Sequence, residues 1–436
     1  MAQLTMTSIF MDGRKGNNES SFYRYDRPNH QLPITKPFMS EAFDCDIAIV
    51  GGGPVGTTFA CALKNSGFRA VLLDAKPPEV SVDVRRAYAI SLLSGRIFEQ
   101  IGVWEKLQAD MSPFRRIRLS DDNDRSVVEF WPQDLDLPQL GYAIEHTPLL
   151  SQLRSFLHTC DSVQGLWPAE VVGVESEPEA VRVRVRQDGT ERSLRAKLLV
   201  AADGSRSRLR EAAGIGTRGW KYWQSCLTFR VKPEHPHHNI AYERFWPDGP
   251  FAILPLRDDR CNVVWTLPHA KAKAFLELEE DAFIRELSQR YGDRMGKLAL
   301  DSPRVLFPVQ LMHGDRYVKH RLALVGDAAH CCHPVGGQGL NLGIRDAAAL
   351  VRVLTQARDA GEDIGDIRVL QRYQRWRKGE NWTILAFTDL LDRTFSNQWL
   401  PLVGLRRSGL WLLRNVPPVK IIALRLMTGL LGRSPV

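Results

Sequence analysis

The strongest constraint on this fold is an apolar run, residues 46–50, that leads directly into glycines at G-x-G-x-x-G spacing. Such a run is typical of a buried parallel strand. Each glycine has a physical reason: the first permits a tight turn, the second lets backbone approach a pyrophosphate, and the third lets a helix pack closely on the strand. The three glycines are Gly51, Gly53 and Gly56.

The residues after these glycines complete a β-α-β unit. Residues 57–65 predict a helix whose free N–H groups would face the phosphates, and residues 70–73 predict a second strand. Asp74 ends that strand at the spacing expected of a partner for ribose hydroxyls. A glycine-rich turn alone would be weak support. Strand, glycines, helix, strand and terminal acid in register predict a dinucleotide-binding domain.

Two further strand-like runs, residues 198–202 and 321–325, end in short motifs that pair glycine with aspartate. Alone, each motif is typical of a turn. Together with the first glycine-rich stretch, in this order and at these separations, they indicate that the dinucleotide is FAD. The two motifs are Asp203-Gly204 and Gly326-Asp327.

On these motifs the chain resembles the flavoprotein aromatic hydroxylases, the single-component FAD monooxygenases, over residues 43–395. A finer resemblance is to the ubiquinone-biosynthesis hydroxylases. The run Gln-Gly-Leu-Asn-Leu-Gly-Ile-Arg-Asp is the most specific part of it. The residues that carry the finer resemblance are 86–91, 101–104, 330–334 and 337–346.

The resemblance implies a role for most of these motif residues. Asp203 and Gly204 would lie near the FAD pyrophosphate and take part in NAD(P)H binding, while Gly326 and Asp327 would hold the ribityl chain. A further set matches the loop and helix start beside the isoalloxazine ring. Its members are Pro334, Gly337, Gly339, Leu340 and Asn341.

The resemblance also implies an arginine at the cofactor, and here the sequence departs from the family. Family members carry an acid two residues before the arginine of an Arg-Ala motif, but Val84 stands at that position and Asp83 one residue further back. Arg85 and Arg86 therefore both stay candidates for contact with FAD.

The implied reaction is hydroxylation of an aromatic ring of a polyprenylated quinone precursor, of the ubiquinone or plastoquinone type. NAD(P)H and O₂ would be consumed through a flavin C4a-hydroperoxide, and the protein would supply orientation and a dry cavity. His330 and Pro334 are the catalytic candidates. His330 or His333 would help to deprotonate a phenol, or would instead orient the loop through a hydrogen bond.

Two other functions are compatible with the motifs. One is an FAD-dependent reductase of polyprenyl double bonds, whose reaction needs no oxygen. The other is a non-catalytic, flavin-binding regulatory or membrane-assembly protein. Oxidation of NAD(P)H with and without a quinol precursor, followed together with O₂ consumption, separates all three.

The expected fold class is α/β, with a discontinuous Rossmann-like FAD-binding domain, an inserted substrate domain built on a mixed or antiparallel sheet, and C-terminal helices. A polar extension over residues 1–42 is expected to be disordered. The predicted FAD-binding parts are 43–120, 146–217 and 306–395, the substrate-domain parts are 121–145 and 218–305, and the tail is 396–436.

The seven cysteines have irregular spacing and no Cys-x-x-Cys pair, which favours reduced thiols in a cytosol-like compartment. The run His330-Cys331-Cys332-His333 contains metal-binding residue types. Four consecutive residues do not easily converge on one ion, and the run coincides with the flavin motif, so no metal is expected.

The tail after Arg393 has no acids, and its basic residues alternate with apolar ones. No uncharged stretch approaches the ~18 apolar residues needed to span a bilayer. Two amphipathic helices, broken at Pro417-Pro418, would lie on an anionic membrane surface; the alternative is a helical hairpin packed on the enzyme or a partner.

The expected partners and location follow from the same features. The net charge of +8 is concentrated in the tail, and no nucleic-acid module accompanies it. The substrate would be a lipophilic quinone precursor, and the resemblance adds a complex with other quinone-biosynthesis enzymes. The expected location is cytoplasmic with peripheral membrane association. Organellar import is the alternative, with weak support because acids interrupt residues 1–42.

Overall fold

The computed structural model describes residues 43–77, 86–121, 127–397 and 399–435. The strands, in chain order, are β1 (Cys45–Val50), β2 (Ala70–Leu73), β3 (Ala87–Ser91), β4 (Ser112–Phe114), β5 (Arg116–Asp121), β6 (Val127–Phe130), β7 (Gly141–Glu145), β8 (Val163–Leu166), β9 (Glu170–Ser176), β10 (Val181–Gln187), β11 (Thr190–Ala201), β12 (Thr217–Pro233), β13 (Ile240–Trp246), β14 (Gly249–Pro255), β15 (Cys261–Pro268), β16 (Leu298–Leu300), β17 (Val305–Gly314), β18 (Val318–Lys319), β19 (Leu322–Leu324) and β20 (His330–Cys331).

The helices complete the fold and leave short connections between elements. They are α1 (Pro54–Ala62), α2 (Leu92–Ile101), α3 (Trp104–Gln108), α4 (His146–Leu157), α5 (Arg208–Ala212), α6 (His269–Glu277), α7 (Glu280–Tyr291), α8 (Gln338–Asp359), α9 (Ile367–Phe395), α10 (Leu400–Asn415) and α11 (Pro417–Thr428). Short 3-10 helices cover Pro132–Asp134, Asp293–Met295, Gly326–Ala328 and Val335–Gly337.

A parallel sheet carries all three predicted FAD motifs at one edge. Its parallel strands lie in the order β19, β11, β1, β2 and β8. Helices cover such a sheet on both faces, which explains why β2 is buried at every residue. The carboxyl ends of parallel strands meet at the same edge. The loops after β1, β11 and β19 therefore lie next to one another, where ligands bind in open α/β sheets.

The second sheet is predominantly antiparallel and forms the other half of the molecule. Its strand order is β20, β17, β12, β15, β14, β13, β5 and β6, with β16 beside β12, and only the β13–β5 pair is parallel among the described strands of this path. One face packs against α6 and α7 around the buried rings of Phe229, Trp265 and Phe283. A small sheet of β3, β7 and β4 lies apart from both.

The tail forms two helices, as the sequence predicts, and they pack on the enzyme. The break falls at Val416 and the following prolines, which start α11. Leu410 and Leu424 are buried in a cluster that also contains Phe245 and Phe395. Within the part of the chain that the structure describes, no helix combines the length and the apolar composition needed to cross a bilayer.

Several predicted bounds differ from the structure. Helix α1 begins at Pro54, three residues before the predicted start, because proline is suited to the first turn of a helix. Strands β5 and β17 belong to the antiparallel sheet, although the predicted boundaries assign most of each to the FAD-binding part. All described residues form one compact unit, and the domain division stays a prediction. Arg85 and the extension 1–42 lie outside the described residues.

Candidate active site

The loop after β1 has the geometry of a phosphate cradle. Gly51 has a φ of +112°, and a Cβ there would lie 2.3 Å from the Ala202 carbonyl oxygen, so only glycine fits between the two strand ends. A Cβ on Gly56 would lie 1.9 Å from the Gly51 carbonyl oxygen. Glycine at this position therefore lets α1 pack close to the turn. At Gly53 a Cβ would meet no atom within 4 Å. The space that the phosphate prediction requires is therefore open.

Asp74 lies where predicted, at the end of β2 beside the glycine loop. Its Oδ2 accepts a hydrogen bond of 2.6 Å from the Gly52 N–H, and its Oδ1 accepts one of 2.8 Å from the Lys76 N–H. The carboxylate thus fixes the loop backbone. A carboxylate oxygen accepts more than one hydrogen bond, so a ribose contact by Asp74 stays a prediction.

Asp203 and Gly204 follow β11 at the same edge. The Leu209 N–H donates to Asp203 Oδ2 at 3.3 Å, whereas the buried Oδ1 has no hydrogen-bond partner in the described chain. A buried, unpaired carboxylate oxygen is costly and indicates a missing donor. A Cβ on Gly204 would meet no atom within 4 Å, and Gly204 lines the same cavity as Gly53.

Asp327 and Arg86 bring opposite charges to one cavity. The Asp327 carboxylate is accessible within the cavity and accepts no hydrogen bond from the described residues. The protein around it raises the pKa of this carboxyl, and the charges of His330 and Arg86 oppose that effect. The Arg86 guanidinium lies 4.4 Å from the centre of the Phe307 ring. Of the two predicted arginines, Arg86 is the one that the structure describes.

The segment 334–341 forms another wall, and the five residues predicted there all line the cavity. The Asn341 amide is fully engaged. It accepts from the Ser91 N–H and the Ser94 hydroxyl, both at 2.8 Å, and donates to the Ala89 and Gly337 carbonyls, both at 2.8 Å. Its side chain therefore ties α8 to β3, and a contact of Asn341 with the cofactor would come from its backbone.

His330 and His333 do not line the cavity. His330 is only 1% exposed, and its Nε2–H donates to Asp346 Oδ2 at 2.6 Å. His333 is fully buried, and burial lowers its pKa to about 3. Deprotonation of a phenol by His330 stays a prediction that this placement does not support, because its ring does not line the cavity and its Nε2 is engaged by Asp346. The geometry favours the alternative, in which the histidines orient the loop.

One cavity of about 860 Å³ joins these elements. At one end it is lined by the glycine loop, Arg86 and Asp327. At the other end lie the inner face of the antiparallel sheet and the two tail helices, through residues such as Phe245 and Leu410. The wall at this second end is predominantly apolar. One residue of each of the three motifs, Gly53, Gly204 and Asp327, therefore lines one space together with an apolar chamber.

The sequence alone did not single out two important groups. Glu243 is an acid on the apolar sheet wall, and its only signal was an acidic residue inside a strand-like run. Asp346 is fully buried and bonds His330, Arg377 and Asn381. It ends the most specific motif of the chain, but its partner Arg377 lies 31 residues away, on another helix.

Fold and site together define a flavin-dependent oxidoreductase with a cofactor edge and an adjoining apolar chamber. The model of the FAD binding domain family matches residues 44–388. The chain therefore belongs to this family, and it is an FAD-dependent monooxygenase.

Two relatives with assigned names agree with this class, and an uncharacterized protein is also similar. The chain is 52% identical over 390 residues to an uncharacterized protein of Synechocystis, with 89% of this chain and 94% of that one covered. It is 37% identical over 413 residues to the ubiquinone hydroxylase UbiL of Rhodospirillum rubrum, with 94% and 95% covered. It is 35% identical over 395 residues to 3-demethoxyubiquinol 3-hydroxylase of Escherichia coli, with 88% and 98% covered.

Solved structures show the same fold. The p-nitrophenol 4-monooxygenase PnpA of Pseudomonas putida has a TM-score of 0.74 at 19% identity, with 89% of this chain and 98% of that one covered. PqsL of Pseudomonas aeruginosa, described as a probable FAD-dependent monooxygenase, has a TM-score of 0.71 at 22% identity, with 84% and 99% covered. At these identities the likeness is one of fold.

Proposed function

We propose that this protein hydroxylates an aromatic ring of a polyprenylated quinone precursor, with NAD(P)H and O₂ as co-substrates. The observation that carries the proposal is the single cavity that joins the FAD motifs to an apolar chamber. Two relatives that align over most of the chain are named for ubiquinone-class hydroxylation, which supports the same substrate class. A long apolar substituent would gain free energy by leaving water for such a chamber.

FAD would be held by the edge of the parallel sheet. The pyrophosphate would lie over Gly53 at the N-terminus of α1, where free N–H groups point at it. The unpaired Asp203 Oδ1 and the free carboxylate of Asp327 would accept hydrogen bonds from cofactor hydroxyls. When bound, FAD supplies the transfer of electrons from the nicotinamide to O₂, and the protein supplies orientation and exclusion of water.

The tail would bring the enzyme to the surface where its substrate is dissolved. Leu410 and Leu424 face inward, whereas Trp399, Trp411 and Ile422 are 66%, 62% and 57% exposed. Apolar side chains beside basic ones are typical of helices that lie in an anionic membrane interface. Because the same helices line the cavity, a polyprenyl chain could enter from the membrane side.

The test of this function is oxygen transfer from labelled O₂. Purified enzyme is supplied with a polyprenylated phenol, reduced nicotinamide and labelled O₂, and the product is analysed by mass spectrometry. We expect one labelled oxygen per product and NAD(P)H oxidation that the phenol stimulates. Turnover without O₂ and saturation of a polyprenyl double bond would support the reductase instead. Flavin binding without any turnover would support a non-catalytic role.

A further inference from the structure

The inner face of the antiparallel sheet carries one acid among apolar side chains. Strand register places a row of side chains across five strands on the cavity side, with Glu243 between Ala252 of β14 and Leu119 of β5. Along β13 its neighbours on the same face are Ala241 and Phe245, both buried in an apolar cluster. The whole row is Thr228, Val264, Ala252, Glu243 and Leu119.

Nothing in the described protein neutralises this acid. Glu243 forms no ion pair and no hydrogen bond with a side chain of the described residues. Its neighbour Arg244 points to the opposite face and donates to the Arg290 and Tyr291 carbonyls. Burial raises the pKa of Glu243 to about 8, and the backbone N–H of Gly336 opposes this.

The position of Glu243 connects the chamber to the flavin loop. Gly336 belongs to the 3-10 turn Val335–Gly337, inside the segment that resembles the loop beside the isoalloxazine ring. A substrate ring placed between the sheet and this loop would therefore lie against the Glu243 carboxyl. An acid on an apolar wall that has one backbone N–H partner and no cation costs free energy unless a ligand uses it.

We propose that Glu243 binds the hydroxyl of the substrate ring and accepts its proton during oxygen transfer. This role rests on the proposed function. The hydroxyl proton passes to the carboxylate as a ring carbon forms its bond to one oxygen atom from O₂ and the bond between the two oxygen atoms breaks. The proton returns to the same oxygen when that ring carbon releases its own proton to solvent and the ring becomes aromatic again. The transferred oxygen comes from O₂, and the electrons that reduce the second oxygen to water come from NAD(P)H.

The test compares Glu243→Gln with the unchanged enzyme on a phenol of ordinary acidity. Gln has the same shape but cannot accept the proton. We expect FAD binding and the basal reduction of the flavin to be unchanged, kcat for hydroxylation to fall by ~10²-fold or more, and KM to change much less. More of the NAD(P)H consumed should yield hydrogen peroxide. Glu175→Gln, at an exposed position on β9, is the matched control.

The pH profile gives a readout that a merely structural role would not change. In the unchanged enzyme kcat should rise between pH 6 and 9, and this rise should disappear in Glu243→Gln. Other charged or titratable groups on the cavity wall are Arg86, Asp327, Arg406, Tyr88, Tyr242, Cys331 and Cys332. Burial raises the pKa of Tyr88 and of Cys332 to about 12, outside this range. Asp327→Asn, measured in parallel, shows how much the Asp327 carboxyl contributes to the pH dependence of kcat.

A substrate analogue separates the outcomes. A fluorinated phenol that is already ionised at the assay pH should be hydroxylated at similar rates by Glu243→Gln and the unchanged enzyme. In the unchanged enzyme, the pH profile of kcat should be flatter with this analogue than with the ordinary phenol. Full retention of kcat by Glu243→Gln on the ordinary phenol would overturn the role of Glu243 alone. If the unchanged enzyme transfers no oxygen to any phenol, the proposed function and this role both fail.

Discussion

Replacing Asp346 by asparagine tests the buried ion cluster behind the cofactor edge. Asp346 is fully buried and accepts hydrogen bonds from His330 Nε2 at 2.6 Å, Arg377 Nε at 2.8 Å, Asn381 Nδ2 at 3.0 Å and the Gly326 N–H at 3.2 Å. Asparagine keeps the size but removes the charge. The asparagine amide also points an N–H group at groups that donated to the carboxylate. The Arg377 side chain, which is only 1% exposed, loses the buried carboxylate that balances its charge.

The expected loss is about 3 kcal/mol in the free energy of unfolding. Breaking a buried ion pair on one side costs ~3–5 kcal/mol, and Glu380, which also pairs with Arg377, places this case at the lower end. The pKa of the Asp346 carboxyl leads to a similar free energy. Burial raises the pKa of the Asp346 carboxyl, but His330 and Arg377 overcome that effect and hold it at about 2 instead of the ordinary 3.8. That difference corresponds to roughly 2–3 kcal/mol at neutral pH.

The assay is urea denaturation at fixed FAD concentration, followed by circular dichroism. A thermal scan is less sensitive, because a chain of this size shifts by only ~1 °C per kcal/mol. A carboxyl whose pKa is lower in the folded protein than in the unfolded chain stabilises the fold at pH values above its unfolded-state pKa. The difference between the two proteins should therefore be full at pH 7 and shrink as the pH falls from about 4 toward 2.

The control replaces one acid of an exposed pair. Glu191→Gln removes the partner of Arg186 on the surface, where both side chains are nearly half exposed, and should cost at most ~1 kcal/mol. A loss for Asp346→Asn no larger than that of the control would refute the reasoning. FAD should also dissociate faster from Asp346→Asn, because the Gly326 N–H that shapes the turn before Asp327 loses its charged acceptor.

Three further predictions concern the cofactor edge and the tail. Gly53→Ala should fold normally, since its Cβ meets no protein atom within 4 Å. It should nevertheless weaken FAD binding at least ~10-fold in equilibrium dialysis. The control Gly379→Ala, at an equally open position in α9, should bind FAD normally. Asp327→Asn should weaken FAD binding by ~1.5–3 kcal/mol, and full flavin retention after gel filtration would contradict its role. Serine at Trp399, Trp411 and Ile422 together should reduce sedimentation with anionic vesicles and leave FAD content unchanged, whereas unaltered vesicle binding would assign the interface elsewhere.

The cofactor edge was predictable because its determinants are local. An apolar run, a glycine spacing and a terminal acid each act within a few residues, and parallel pairing brings the carboxyl ends of the strands together. Asp203 and Asp327 consequently lie at the same edge although they are far apart in the chain. The start of α1 was predicted three residues too late, because the signal of Pro54 for the first turn of a helix was not used.

The chamber and the loop histidines were not predictable, because their environment comes from distant elements. The burial of His330 depends on Asp346 from α8, which is held in turn by Arg377 from α9. Glu243 faces the cavity because strand register places it opposite Ala252, and one sequence does not reveal which face of a strand lines a cavity. Whether the tail packs on the enzyme depends on Leu410 and Leu424 finding an apolar cluster.

The tail hairpin connects the chamber wall to the segment beside the flavin. The FAD binding domain match ends at residue 388, whereas part of the chamber wall comes from α10 and α11 beyond it. The ion pair between Lys420 and Asp134, 2.7 Å long, and the buried Leu410 and Leu424 fix this wall. The Gln338 side-chain amide, in the segment beside the flavin, donates to the Met427 carbonyl of α11 at 3.1 Å. Changes in the tail should therefore alter the length or shape of the substrate that fits and also the position of the segment beside the flavin, so that substrate selection and cofactor placement change together.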